Sequence, residues 1–75
     1  MFYIDYQTPK GNGKTLHQVR TCANYKEARA RLLATGFKLD RDRLGEFRIV
    51  YTNGQTDAVL VEDMPGDGEV VILDA

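Results

Sequence analysis

Three turn segments that contain glycine constrain this chain most, because they divide it into short strands joined by tight turns. They are residues 9–14 (PKGNGK), Asn53-Gly54 and residues 65–68 (PGDG). Glycine and asparagine tolerate the positive φ angles that such turns require, and Asn-Gly between alternating segments is a strong hairpin signal. The sequence therefore predicts several β-hairpins within one domain, residues 1–75.

In segments between these turns, apolar residues recur at every second position, as they do in half-buried strands. In residues 2–7, Phe2, Ile4 and Tyr6 fall on one face, and this period of two indicates a half-buried strand. We expect further strands in TLHQVRTC (15–22), EFRIVYT (46–52), DAVLVED (57–63) and EVVILD (69–74), with a charged loop over residues 38–45. The expected core consists of Phe2, Ile4, Tyr6, Phe47, Ile49 and Tyr51, which leaves Tyr3, Arg48 and Val50 on an open sheet face.

The run NYKEARARLLATG (24–36) predicts a single helix. Asn24 is a good N-cap, Glu27 completes a capping-box pattern, and Gly36 ends the helix. The element order is therefore β-β-α-β-β-β. It predicts an α+β fold in which one helix packs on one face of an antiparallel sheet. A β-grasp-like mixed sheet is the alternative that the same order describes.

Gly13-Lys14-Thr15 follows a strand-like segment and suggests a phosphate-binding loop, but the rest of that motif is missing. The first glycine of the motif would fall at position 8, where the chain has Thr8. The loop must also open a helix, and the residues that follow are strand-like. We therefore predict that this stretch is a hairpin turn and that the chain binds no nucleotide.

The residues that carry most catalytic and metal chemistry are scarce. His17 is the only histidine and Cys22 the only cysteine, so a zinc site lacks ligands, and the acids lack the alternate spacing of a calcium loop. On one strand, His17 and Cys22 point to opposite faces and cannot act as a base and its nucleophile. We predict that the protein is not an enzyme and binds no metal or other cofactor. A single cysteine, expected to be buried, favours a reducing, cytoplasmic setting.

The charges are distributed unevenly along the chain. All ten Lys and Arg residues lie in residues 1–48 with five acids, whereas residues 49–75 contain six acids and no base. A row of fixed carboxylates can occupy a basic groove that otherwise takes phosphates. We therefore predict a binding protein. Its expected contact residues are Asp57, Glu62, Asp63, Asp67 and Glu69, together with Lys10, Lys14, Tyr3, Arg29, Arg31 and Arg48.

The chain resembles the small phage-encoded anti-CRISPR proteins in its short β-β-α-β-β-β order, its NYKEARARLLATG helix and its lack of a catalytic motif. The resemblance extends over the whole chain as a pattern. It implies an inhibitor that binds a bacterial CRISPR surveillance complex, a ribonucleoprotein, in the host cytoplasm. Such an inhibitor would block recognition of the target DNA.

Two other kinds of partner remain open. The first is nucleic acid, bound by a basic stripe made of Lys10, Lys14, Arg20, Lys26, Arg29, Arg31, Arg41 and Arg43. The second is another copy of the chain, since exposed sheet edges allow a homodimer as well as a monomer. A membrane is not among the expected partners, because the sequence has no long apolar run.

Overall fold

A computed structural model describes residues 2–46, 48–65 and 69–73, except for the side chain of Glu69. It contains one helix and one six-stranded sheet, whose strand order is β3-β4-β5-β1-β2-β6. The elements are β1 (Phe2–Pro9), β2 (Thr15–Cys22), α1 (Tyr25–Ala34), β3 (Lys38–Leu39), a 3₁₀ turn (Arg41–Arg43), β4 (Val50–Thr52), β5 (Asp57–Val61) and β6 (Glu69–Ile72). The predicted α+β class with a single helix is confirmed.

The longest strand, β1, lies inside the sheet and pairs antiparallel with both β2 and β5. The last strand, β6, runs parallel to β2 at one edge. The sheet is therefore mixed, as in the alternative prediction. The predicted antiparallel pairing is found at the other strand pairs and is wrong at this one. The prediction of a plain loop over residues 38–45 is also incomplete, because β3 pairs with β4 and forms the other edge.

Local turn chemistry explains both hairpins. The β1–β2 turn closes with a hydrogen bond from the Lys10 amide to the Lys14 carbonyl, and Gly11 and Gly13 adopt positive φ angles. The Gly-Lys-Thr stretch thus leads into a strand, as predicted. In the β4–β5 turn, the Asn53 side chain accepts hydrogen bonds from the Gln55 and Thr56 amides, and Gly54 has a φ of 94°. The predicted third turn lies largely outside the described residues.

Capping defines both ends of α1. The Asn24 side chain accepts a hydrogen bond of 2.9 Å from the Glu27 amide, as predicted. The Glu27 carboxylate accepts in return from the Ala23 amide rather than from Asn24. Gly36 takes a φ of 90°, and the Phe37 amide donates to the Leu32 carbonyl. This arrangement turns the chain back, so that Phe37 is buried against the sheet.

The main core lies between α1 and one face of the sheet. Its buried members are Ile4, Cys22, Ala28, Leu32, Phe37, Tyr51, Ala58 and Leu60, with Phe2, Tyr6, Leu39 and Ile49 packed against them. These include every residue of the predicted core except Phe47, which lies outside the described residues. The prediction that Cys22 is buried is confirmed.

The opposite face of the sheet is open only in part, whereas the sequence predicts an open face. Val50 is 0%, Val19 1% and Asp5 3% exposed there. The Arg43 guanidinium from the 3₁₀ turn bonds to Asp57 at the edge of this face. The predicted exposure of Val50 is therefore wrong: its side chain is buried on this face.

Candidate protein-binding groove

A groove lies at the end of the sheet where β1 begins. Its floor is apolar. Phe2 of β1, Leu60 and Val61 of β5, and Ile49, which directly precedes β4, form it. The carboxylates of Glu46, Glu62 and Asp63 complete the lining, and the cavity has a volume of about 500 Å³. The register places Phe2 at the start of β1, and Val61 pairs with Tyr3 at the end of β5, so neighbouring strands deliver both residues to one site.

A second depression of about 560 Å³ adjoins the first and shares Phe2, Glu62 and Asp63 with it. Its other wall is the start of α1, formed by Ala23, Asn24 and Tyr25. The rings of Phe2 and Tyr25 meet edge to face, with centroids 6.3 Å apart. The two depressions together, called the acidic groove below, therefore follow the sheet end from β4 to the helix.

The electrostatics of the acidic groove have one sign. Among its described lining residues, three are acids and none is a base. Glu46, Glu62 and Asp63 are exposed, so their charges are solvated and available to a partner. An apolar floor beside carboxylates fits a lysine or arginine side chain, because its aliphatic stem packs on the floor while its charged head meets the rim. A volume of this size accommodates a few side chains of a peptide.

Of the five acids predicted as contacts, the structure places only Glu62 and Asp63 in the groove. Asp57 is instead held by both terminal nitrogens of Arg43, at 2.7 and 2.9 Å. These bonds hold the pKa of Asp57 below its usual value, so the carboxylate is engaged inside the fold. Asp67 lies outside the described residues, and for Glu69 only the backbone position in β6 is described.

Glu46 is the groove residue that sequence reasoning missed. It belongs to the basic part of the chain, residues 1–48, and the sequence pattern predicts that a strand starts there. The actual strand begins four residues later, at Val50, and Glu46 lies in a tight turn closed by the pairing of Gly45 with Arg48. Gly45 was the available signal, since glycine beside a charged segment often marks a turn.

The predicted basic and aromatic contact residues lie on separate elements. Lys10 and Lys14 are exposed at the hairpin tip, at the end of β1 remote from Phe2. Arg29 lies near the Tyr51 hydroxyl, and Arg31 is half-buried near the Cys22 thiol. The remaining two are an exposed Arg48 and a half-buried Tyr3 on the second face of the sheet. The described structure does not bring these residues into the acidic groove.

A second polar cluster lies on that second face. The Nδ1 atom of His17 lies 2.9 and 3.0 Å from the two carboxylate oxygens of Asp5, and the Gln7 amide donates to the same carboxylate. An ionised carboxylate only accepts hydrogen bonds, so Nδ1 carries the shared proton. The Asp5 carboxylate thus holds the His17 imidazole in one orientation, as the carboxylate beside a catalytic histidine does. The thiol of Cys22 belongs to the opposite core, as predicted from the strand period.

Three further observations bear on chemistry. Burial raises the pKa of the Cys22 thiol, with a contribution from Glu27, so the unreactive thiol form is favoured. Within the described residues, no group of three or more His, Cys, Asp or Glu side chains is placed to hold a metal ion. In the same part of the chain, the helices are too short and polar to cross a membrane.

Comparisons with known proteins add no family or fold neighbour. Neither the protein-family models, the curated proteins nor the solved structures match this chain.

Proposed function

We propose that this chain is a non-enzymatic binding protein whose acidic groove receives a basic segment of a protein partner. The observation that carries the proposal is the groove itself, where the carboxylates of Glu46, Glu62 and Asp63 border an apolar floor. Its form fits recognition better than catalysis, because the carboxylates are exposed and the oriented imidazole of His17 is not among the residues that line the groove.

The physical reason for affinity has two parts. Carboxylates at the rim attract a basic surface and orient it, while the apolar floor supplies contact area that excludes water. The floor residue Phe2 is braced by Tyr25, so its ring offers a fixed surface to an arriving side chain. A lysine- or arginine-rich surface that normally contacts nucleic acid has the charge that this groove requires.

The finer proposal identifies the protein that carries this nucleic-acid-binding surface. We propose that the partner is a bacterial CRISPR surveillance complex and that the chain is a phage or mobile-element inhibitor that blocks target DNA recognition. The support is the pattern-level resemblance described above and the acidic groove, whose rim has the sign of the DNA that the complex would otherwise bind. The proposal places the action of the protein in the bacterial cytoplasm.

The test is a DNA-binding competition. Purified surveillance complexes of different types, each loaded with guide RNA, are mixed with target duplex and increasing amounts of this chain. We expect one type to lose DNA binding at stoichiometric inhibitor. Glu62→Lys should weaken the inhibition by about tenfold or more, because it reverses a rim charge that faces the basic partner.

Asp42→Lys is the matched control, since it makes the same charge change at an exposed acid outside the groove. It should inhibit as the unmodified chain does. If both variants lose inhibition equally, the loss comes from net charge, and a contact specific to the groove is contradicted.

If every type of complex binds its target DNA unhindered, the finer proposal fails. Calorimetry with a lysine-rich peptide then tests the broader one, which in turn fails if Glu62→Lys leaves the peptide affinity unchanged.

The alternative function is nucleic-acid binding, and one observation favours it. Lys10 and Lys14 project at the exposed tip of the β1–β2 hairpin, where a phosphate backbone has access. Arg43, another member of the predicted basic stripe, is bonded to Asp40 and Asp57 and is less available. Binding of bare duplex DNA that falls steeply with salt, and that Lys10→Glu/Lys14→Glu abolishes, would establish this alternative.

A further inference from the structure

The two edges of the sheet differ in how they are protected from other strands. At one edge, β3 has only two residues, begins with Lys38 and leads directly into the 3₁₀ turn. A short, charged strand of this kind resists pairing with another chain. At the other edge, β6 has four residues. After Glu69 it contains no charged residue and no proline, only Val70, Val71 and Ile72. Among the described residues, no strand pairs with the outer side of β6.

Apolar side chains on β6 are exposed on both faces of the sheet. Val71 is 42% and Ile72 58% exposed. The register pairs Val71 with Gln18 and Ile72 with Val19, and these positions lie on opposite faces. A partner lying flat on one face would cover only one of the two residues. A strand added at the edge would cover both, since it extends the two faces together.

The hydrogen-bonding groups of β6 are arranged for such an addition. The Leu73 amide donates to the Val19 carbonyl, so its backbone groups point inward to β2. Because this direction alternates along a strand, the groups of Val71 also point inward, whereas those of Val70 and Ile72 point outward. Two residues of β6 therefore present both an amide and a carbonyl at the open edge.

We infer that this edge pairs antiparallel with β6 of a second copy of the chain, around a two-fold axis at Val71. In this register, Val70 faces Ile72 of the second copy, and the two residues exchange both of their outward hydrogen bonds. The same exchange occurs on the other side of the axis, so every outward group of these two residues is satisfied. The two Val71 side chains face each other at the closer, non-hydrogen-bonded position.

The self-complementary apolar sequence of β6 selects a second copy as the occupant. In the antiparallel register, position 69 of one copy faces position 73 of the other, so the two Glu69 residues stand at opposite ends of the pairing. The centre is apolar in both strands and self-complementary, as a two-fold interface requires. The acidic groove is lined by residues outside β6, so this inference does not depend on the proposed function.

The contact is small, and the dimer is accordingly weak. A pairing of four-residue strands buries less than the roughly 1,200 Å² typical of stable complexes. We expect a dissociation constant on the order of 100 µM. The protein should thus be a monomer in dilute solution and a dimer in concentrated solution.

The test combines sedimentation equilibrium with amide hydrogen exchange on the whole chain. As concentration rises, the weight-average mass should climb from 8.5 kDa toward twice that value. Val71→Lys should weaken dimerisation at least about tenfold, because it places two like charges face to face at the axis. Leu44→Lys is the matched control at an exposed leucine away from β6, and it should dimerise normally.

Hydrogen exchange separates this edge from other modes of association. The amides of Val70 and Ile72 should become more protected as the dimer forms, whereas the inward amide of Val71 should change little. A chain that stays at 8.5 kDa in concentrated solution would overturn the inference. So would a folded Val71→Lys variant that dimerises as well as the unmodified chain, or protection that appears elsewhere but not at Val70 and Ile72.

Discussion

At the scale of single residues, the buried carboxylate of Asp5 is the most demanding group of the described chain. It is 3% exposed, and its stability in the fold depends on the His17 ring and the Gln7 amide. Removing a partner from a buried charge leaves that charge unsatisfied, and the cost exceeds the net value of the intact pair. Substitutions on β1 or β2 that break the Asp5–His17 pair should therefore destabilise the fold.

His17→Ala should lower the free energy of unfolding by about 2–4 kcal/mol at neutral pH, measured by urea denaturation. Thr21→Ala, at an exposed position of the same strand, should cost far less. Replacing both members with leucine should recover much of the loss, because no unpaired charge then remains. If His17→Ala behaves like Thr21→Ala, the Asp5–His17 pair contributes little to stability.

Tyr51 provides a prediction for alkaline solution. Burial and a 3.0 Å hydrogen bond with the Tyr25 hydroxyl raise the pKa of Tyr51 to about 12, although nearby Arg29 opposes the rise. A raised pKa means that the fold favours the un-ionised phenol. The resulting stability is complete below the ordinary pKa of 10.0 and is lost as the pH rises toward about 12.

Tyr51→Phe should therefore remove the latest step in an ultraviolet titration of tyrosine ionisation and should reduce the alkaline loss of stability. Some alkaline sensitivity should remain, because burial also raises the pKa of Tyr6. Tyr3→Phe serves as the control and should leave the late step unchanged. Persistence of that step in Tyr51→Phe would contradict the assignment.

At the scale of elements, Arg43 ties the segment between β3 and β4 to β5. It bonds to Asp40 in its own turn and to Asp57 on β5. These bonds lower the pKa of both carboxyl groups from the ordinary value of 3.8. The stabilisation is therefore complete above that value and is lost as the pH falls through the lowered pKa values of the folded state.

Arg43→Gln should destabilise the protein at neutral pH, and the difference from the unmodified chain should shrink as the pH falls below the ordinary carboxyl pKa of 3.8. Unfolding free energies measured over this range provide the test. Arg41→Gln, in the same 3₁₀ turn, is the control and should have little effect at either extreme. A difference that stays constant with pH would mean that the ion pairs are not its source.

The elements that sequence reasoning predicted well are those defined by local chemistry. The PKGNGK turn, the Asn53-Gly54 turn and the Asn24 cap all depend on residues within a few positions of one another. The elements it missed depend on distant partners. The two-residue strand β3 exists because β4 pairs with it, and the parallel direction of β6 is determined by β2, roughly fifty residues earlier.

At the scale of the whole molecule, strand order predicts a gradient of stability. The interior strand β1 is hydrogen-bonded on both sides, whereas β3 and β6 are edges. Amides of Ile4, Asp5 and Tyr6 should exchange most slowly in dilute solution, at rates near those of global unfolding. Amides of β3 and β6 should exchange faster. Slowest exchange in an edge strand would contradict this order of the sheet.

The candidate site could be predicted from the sequence only in part. The uneven charge distribution indicates Glu62 and Asp63, because the sequence alone shows that residues 49–75 contain acids and no base. The floor could not be predicted, because Phe2, Ile49 and Leu60 meet only when β1, β4 and β5 assemble. The buried second face was missed for a similar reason. A charged residue such as Asp5 predicts a solvent-exposed face. Its burial becomes understandable only once His17, on the neighbouring strand, is seen to pair with it.

The interior position of β1 has a consequence for synthesis of the protein. Its pairing with β2 can form early, but its other side waits for β5, since Gln7 pairs with Asp57, fifty residues later. At about 5–20 residues per second, the ribosome needs roughly 3–10 s to add that length of chain. During this interval the nascent hairpin carries an unpaired edge that other nascent chains can bind. The sheet thus cannot be completed until β5 has been synthesised, and chaperone demand should be greatest before β5 emerges.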